Sequence, residues 1–150
     1  MFEVIALVVF GLALVAGAVV FSEDVQVAAG AIVVTTTTET LAAVSQNLTL
    51  PTGSGKALVT GRVTLTIGTS TTGVTLTIYR GAVIGGSIVG AQVNQTGNFT
   101  AGGTATFDVE YVDPLTNVGG AQYCLSVKQI GATGNGSILN ALIHTTVLSG

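Results

Sequence analysis

The sequence predicts a mainly β protein, an antiparallel β-sandwich or jelly roll of about eight strands preceded by one long apolar α-helix. After residue 30, apolar residues alternate with threonine, and turn residues separate the alternating runs at regular spacing. Alternation at period two places one face of a strand in a core and the other in water. We therefore predict three parts: an apolar helix at 1–30, an extended linker or strand at 31–40, and the β-sandwich at 41–150.

The predicted helix begins with an uninterrupted apolar run. All 18 residues from Val4 to Phe21 are apolar or glycine. As a helix rising about 1.5 Å per residue, this run approaches the roughly 30 Å hydrocarbon core of a bilayer. Three interpretations remain open: a retained membrane anchor at residues 1–21, a helix packed in the core of a filament, and a cleaved secretory signal. A secretory signal normally begins with positive charge, whereas no Lys or Arg precedes Lys56.

The helix is expected to end near Gly30, because the next segment is rich in β-branched residues. Val33 to Thr38 contains two valines followed by four threonines. Such residues are stiff at χ1 and suit an extended backbone better than a helix. The segment from Val33 to Thr40 is therefore expected to be a linker, or a strand added to the sheet of a neighbouring copy.

Seven alternating or apolar runs then follow, and together they predict about eight strands. They are Leu41–Leu50, Ala57–Ile67, Val74–Ile78, Ser87–Val93, Thr104–Val112, Ala121–Ile130 and Ser137–Leu148. Loops rich in Gly, Asn and Thr separate them, among them 94–103, 113–117 and 131–136. Regular short strands with turn signals between them are typical of a sandwich or jelly roll.

The run from Phe107 to Tyr111 defines which face of its strand is buried. It alternates two aromatic residues and a valine with Asp108 and Glu110, so a shift of one residue would bury both acids. Burying two unpaired carboxylates would cost several kcal/mol. The same alternation predicts the core as Val63, Leu65, Ile67, Val74, Leu76, Ile78, Phe107, Val109, Tyr111, Tyr123, Leu125, Val127, Leu139 and Ile143.

Catalytic residues are scarce in this sequence. Cys124 is the one cysteine and His144 the one histidine, so a nucleophilic pair would require the fold to bring them together, with Asn140 or an acid orienting the ring. We interpret Cys124 as a small strand residue and His144 as a polar residue of an alternating strand. No metalloprotease, redox, dinucleotide, P-loop or hydrolase motif occurs. We predict a protein that is not an enzyme, with no catalytic residues and no cofactor.

The charged residues exclude nucleic acid as a partner and favour no metal site. Four cations and a net charge of -3 cannot form the basic patch that nucleic-acid binding requires. Asp108, Glu110 and Asp113 could offer oxygen ligands to Ca²⁺, but their spacing matches no EF-hand loop, and a solvated acidic face is the preferred interpretation. The four basic residues are interpreted as solubilising or edge-protecting charges: Lys56, Arg62, Arg80 and Lys128. No small-molecule substrate is expected.

Four sequons could accept N-linked sugar if the domain passes a glycosylating membrane. Their asparagines are Asn47, Asn94, Asn98 and Asn135. The last three lie in predicted loops, where a glycan can be accommodated. The alternative is ordinary asparagine in turns.

The strand rhythm resembles the small jelly-roll domains of viral capsid and spike proteins, including tumour-necrosis-factor-like trimeric heads. The residues that carry the resemblance are Val63–Ile67, Thr77–Gly81, Gly103–Val112 and Ile138–Leu148, within a low-charge, Thr- and Gly-rich region at 40–148. The resemblance implies a structural virion protein that self-assembles with other virion subunits. The apolar N-terminus would suit a membrane-associated location in the virion.

The order of parts also resembles archaeal pilins and archaellins, which have an apolar N-terminal helix followed by a Thr-rich, charge-poor β-sandwich. This resemblance covers residues 1–150 and implies an extracellular surface filament with helices packed in its core. The basic leader of a pilin precursor does not occur in the sequence. We expect a membrane-anchored, homo-oligomeric virion subunit, with the pilus-like filament as the alternative.

Overall fold

The computed structural model of the chain describes residues 19–22, 32–35, 37–49, 55–68, 73–85, 88–97, 99–115, 120–131 and 134–149. These residues form eleven strands: β1 (Val19–Ser22), β2 (Val33–Val34), β3 (Thr40–Val44), β4 (Leu48–Thr49), β5 (Gly55–Thr66), β6 (Gly73–Arg80), β7 (Ile88–Thr96), β8 (Thr104–Leu115), β9 (Gly120–Ala121), β10 (Tyr123–Ile130) and β11 (Gly136–Ser149). Within the described ranges, no helix is both long and apolar enough to cross a membrane.

Two antiparallel sheets enclose the core. Sheet A has the order β1-β11-β5-β8, with β2 also paired to β11, and sheet B has the order β3-β10-β6-β7. A two-stranded pair, β4 and β9, completes the described sheets. Apart from the β6–β7 hairpin, the long strands from β5 to β11 alternate between the two sheets along the chain. The prediction of a mainly β, antiparallel fold is confirmed.

Alternation in the sequence becomes alternation of burial in the strands. Along β5 every second residue from Ala57 to Leu65 is buried, and β8 follows the same rhythm. At the centre of β5, a Cβ on Gly61 would lie 2.9 Å from both Cδ atoms of Leu125 on the facing sheet. Glycine therefore lets the two sheets approach at this point. Twelve of the predicted core residues are buried: Val63, Leu65, Ile67, Val74, Leu76, Ile78, Phe107, Val109, Tyr123, Leu125, Val127 and Ile143.

Two predicted core residues differ in the structure. Tyr111 is half-buried at the margin of the core. Leu139 is half-buried as well, and Ile138 takes the buried position. The cause is a register shift in β11, where Ile138 pairs with Leu65 but Asn140 pairs with the next residue, Thr64. This bulge inserts one extra residue into β11, so the inward-facing positions before and after it do not follow a single strict alternation.

The turn predicted at 113–117 begins later than expected. Strand β8 continues to Leu115, with Asp113 paired to Ala57 and Pro114 to Lys56. Proline is tolerated there because β8 is the edge strand of sheet A, where an N–H need not be donated to a second neighbour.

Near the N-terminus, two short strands pair with β11 of the same chain. Val19–Ser22 pairs with residues 145–148, so at these four residues the structure departs from the predicted helix. The rest of the predicted helix, at 1–18 and 23–30, lies outside the described residues and stays a prediction. Val33–Val34 pairs with Gly136 and Ser137. Within the single chain these two valines thus form a short strand of sheet A, and their donation to a neighbouring copy stays a prediction.

Candidate functional site

A groove of about 590 Å³ crosses the outward face of sheet A. Strands β11, β5 and β8 contribute its lining residues, which are Thr60, Gly61, Arg62, Asp108, Val109, Glu110, Leu142 and His144. Cross-strand pairing arranges the outward side chains in rows. One row contains Leu142, Arg62 and Asp108, and the next contains His144, Thr60 and Glu110. The groove therefore presents both signs of charge beside an imidazole and an aliphatic side chain.

Two cross-strand pairs of side chains connect β5 and β8 on this outward face. Nε of Arg62 donates to Oδ1 of Asp108 at 2.6 Å, and the two side chains are 60% and 59% exposed. One row along, the hydroxyls of Thr64 and Thr106 share a hydrogen bond of 3.0 Å. An exposed ion pair contributes at most about 1 kcal/mol to stability. The Arg62–Asp108 pair is thus available for contacts outside the chain.

The outward face of sheet B contains a carboxylate surrounded by hydroxyls. Glu39, in the connection between β2 and β3, accepts hydrogen bonds from the Tyr79 hydroxyl, from Thr77 Oγ1 at 3.3 Å and from Ser126 Oγ at 3.1 Å. Two effects raise the pKa of Tyr79 to about 12: burial, which is the larger, and the hydrogen bond to Glu39. The role of Glu39 is not predictable from the sequence pattern, because its partners lie on β6 and β10, far away in sequence. The arrangement holds the connection against sheet B.

Cys124 and His144 do not form a catalytic pair. Cys124 is buried on the outward side of sheet B, beside the Glu39 cluster, whereas His144 lies on the outward face of sheet A. Burial, and then the charge of Glu39, raises the pKa of the Cys124 thiol to about 11. A thiol with such a pKa is protonated at neutral pH and is a poor nucleophile. The Nε2 atom of His144 instead lies 3.2 Å from Oγ1 of Thr146.

A second polar network connects the two sheets through the interior. Asp113 on β8 is 2% exposed and lies against Arg80 of β6, with Arg80 Nη2 at 2.6 Å from each carboxylate oxygen. The Tyr123 hydroxyl donates to Asp113 Oδ2 at 2.8 Å. Burial, followed by this bond, raises the pKa of Tyr123. Arg80 is therefore a structural partner of a buried acid, which corrects its interpretation as a solubilising or edge-protecting charge.

The three acids considered as calcium ligands are divided between two faces of β8. Asp108 and Glu110 point outward and Asp113 points inward, so they do not converge. Among the residues that the structure describes, no group of three His, Cys, Asp or Glu side chains could hold a metal ion.

The four sequons have different positions. Asn47, between β3 and β4, and Asn135, directly before β11, are exposed. Asn94 lies in strand β7 opposite Thr75, not in the loop predicted from the sequence. Asn98 lies outside the described residues. Asn47 and Asn135 are thus the sequon asparagines whose exposure suits modification.

Comparisons with known proteins identify similarity in structure. No family model and no curated protein matches the sequence. A structure of infectious bursal disease virus, Gx strain, is similar with 13% identity and a TM-score of 0.45, covering 86% of this chain and 31% of that chain. A structure of the Gt strain is similar with 16% identity and a TM-score of 0.46, covering 86% and 33%.

A third similar structure is the crystal structure of the VP2 subviral particle of infectious bursal disease virus. It has 11% identity and a TM-score of 0.44, and the alignment covers 88% of this chain and 36% of that chain. The chain spans about a third of the length of the viral chains that it matches.

Proposed function

We propose that the chain is a structural virion protein, a jelly-roll capsid or spike subunit that self-assembles. The observation that carries the proposal is the strand order. The order β1/β2-β11-β5-β8 in one sheet and β3-β10-β6-β7 in the other is that of two Greek keys wrapped into a jelly roll. Viral capsid domains are among the main users of this architecture.

The surface composition supports association. Charged residues make up 7% of the chain, where a typical soluble domain has about 25%. A surface with few charges offers little electrostatic protection against contact between copies. Large apolar side chains are also exposed in the described residues, namely Val33, Leu41, Val83 and Val112. Self-assembly would remove such side chains from water.

The membrane part of the proposal concerns the N-terminal residues. Since β1 takes Val19 to Phe21 into sheet A, the apolar run available to lipid is residues 4–18. A helix of that length measures about 22 Å, less than the roughly 30 Å of a bilayer core. We propose that this segment enters the membrane without crossing it fully. The alternative function, a pilus-like filament, places the same segment against copies of itself.

Electron microscopy of the full-length protein, purified from membranes and from the soluble fraction, tests the proposal. We expect closed particles or small oligomers that mild detergent frees from lipid. Long filaments that persist in detergent and contain this chain alone would support the filament alternative and contradict the virion proposal. A protein that stays monomeric at high concentration, with or without lipid, would contradict both.

A further inference from the structure

We propose that two copies of this chain pack face to face through the β5–β8 face. This name refers to the outward side chains of residues 58–64 on β5 and 106–112 on β8. The inference rests on the self-assembly proposed above and identifies the surface that would carry it. The partner is a second copy of the chain, because this face is self-complementary in charge and polarity.

The complementarity follows from the cross-strand pairs. Arg62 pairs with Asp108, Leu58 with Val112, Thr60 with Glu110, and Thr64 with Thr106. A two-fold axis parallel to the strands and midway between β5 and β8 exchanges the two strands between copies. Each residue of a pair then faces the other member of that pair across the interface.

The resulting contacts match in chemistry. Arg62 meets Asp108 of the partner subunit, and each charge gains a second opposite charge beside the one it already contacts at 2.6 Å. Leu58 meets Val112 of the partner subunit, which covers a side chain that is 49% exposed in the single chain. The hydroxyls of Thr64 and Thr106, already hydrogen-bonded to each other at 3.0 Å, meet hydroxyls. Glu110 meets Thr60 of the partner subunit, whose hydroxyl can donate a hydrogen bond to the carboxylate.

The same cross-strand pairs favour a two-fold axis parallel to the strands over one that runs across them. An axis running across the strands at the level of Thr60 would place Arg62 over Leu58 of the partner subunit and Asp108 over Val112 of the partner subunit. Charges would then be covered by aliphatic groups and would lose water without gaining a partner. Two sheets that pack face to face align their strands within about 30°. The charge pairs therefore favour the axis parallel to the strands.

Other parts of the molecule suit this contact less well. On the outward side of sheet B, Thr77, Cys124 and Ser126 are already buried. At the β8 edge, Gln95 Nε2 donates to the backbone carbonyl of Asp108 at 2.6 Å, and Pro114 has no N–H to offer an added strand. These features favour contact through the face of the β5–β8 ribbon over contact through its edge.

A charge-exchange experiment on the full chain in mild detergent tests the inference. The variant Arg62→Asp has two acids in this row, and Asp108→Arg has two cations. We expect each variant alone to associate at least 10-fold more weakly than the wild type, because like charges meet across the axis. Mixing the two variants should restore association as 1:1 heterodimers, since acids then face cations. Native mass spectrometry counts the species, and circular dichroism confirms that each variant folds.

A matched pair of valine substitutions tests the apolar contact. Val112→Lys should weaken self-association by at least 10-fold, whereas Val83→Lys, at an exposed valine outside this face, should not. If the wild type assembles and all face variants assemble equally well, the inference is overturned while the proposed self-assembly stands. If Arg62→Asp and Asp108→Arg each associate weakly alone and still associate weakly when mixed, the proposed contact between Arg62 and Asp108 of the partner subunit is contradicted as well. A monomeric wild type would overturn the proposed function as well.

Discussion

Asp113 and Arg80 form an ion pair that joins the two sheets of the sandwich, in which the Asp113 side chain is buried and the Arg80 side chain is 39% exposed. The carboxylate on β8 receives Nη2 at 2.6 Å and Nε at 3.0 Å from the guanidinium on β6. The pair sits in the row of inward side chains, where the neighbouring positions of β8 are apolar. A charge in such a place stays favourable only while its partners remain.

Replacing Asp113 by Asn should therefore destabilise the protein strongly. We expect Asp113→Asn to lower the free energy of unfolding by about 2 kcal/mol, because the buried Tyr123 hydroxyl and the partly exposed Arg80 lose a charged acceptor. Asp108→Asn is the matched control on the same strand, and its exposed pair should cost at most about 1 kcal/mol. Urea unfolding followed by circular dichroism measures both. Equal losses would contradict the structural role of Asp113.

Because of the bulge in β11, we expect two adjacent residues to contribute unequally to the free energy of unfolding. Ile138 is fully buried and Leu139 half-buried. We expect Ile138→Ala to cost about 2 to 5 kcal/mol of unfolding free energy through the cavity it leaves. Leu139→Ala should cost about 1 kcal/mol, the typical effect of a point substitution. Thermal or urea unfolding distinguishes them, and the reverse ranking would restore the register expected from simple alternation.

Thr145 is a buried residue whose hydroxyl has no hydrogen-bond partner among the described residues. Thr145→Val removes the unsatisfied oxygen at nearly constant shape, and we expect it to raise the free energy of unfolding by about 1 kcal/mol. Thr77 is the matched control, because its buried hydroxyl donates to Glu39. Thr77→Val should lower stability by about 1 to 3 kcal/mol. A loss at both positions would indicate that Thr145 does have a partner.

Alkaline pH should destabilise the fold through Cys124 and Tyr79. The folded pKa of Cys124 is about 11 against an ordinary 9.0, so above pH 9 the unfolded thiol loses its proton while the folded thiol keeps it. The unfolded state then binds fewer protons, and the free energy of unfolding falls from pH 9 to about 11. Tyr79, with a pKa raised from 10.0 to about 12, extends the decline.

Unfolding midpoints measured between pH 7 and 12 test this dependence. Cys124→Ala should flatten the decline between pH 9 and 11 and leave the part that Tyr79 and Tyr123 contribute, since the pKa values of both tyrosines are raised in the folded state. A profile of Cys124→Ala that parallels the wild type would contradict the raised pKa of the thiol. In the folded protein at neutral pH, labelling of Cys124 by a thiol reagent should require unfolding.

Local pattern determined the strands. Each predicted run from Leu41 to Leu148 overlaps at least one strand of the structure, and the alternation around Phe107 assigned its inward and outward faces correctly. Side chains at alternate positions face opposite sides of a strand, so burial can be derived from neighbouring residues alone. The same rule failed at Leu139, because a bulge changes the count without a signal in the local pattern.

The tertiary structure decided which distant residues meet. Asp113 looked like a solvated turn residue until β6 and β10 brought Arg80 and Tyr123 to it, and Glu39 acquired partners on the same two strands. It also separated Cys124 from His144 by placing them on the outward faces of different sheets. Sequence spacing contains no information about such pairs, because strand order, which sets these contacts, depends on how the whole chain buries its apolar faces.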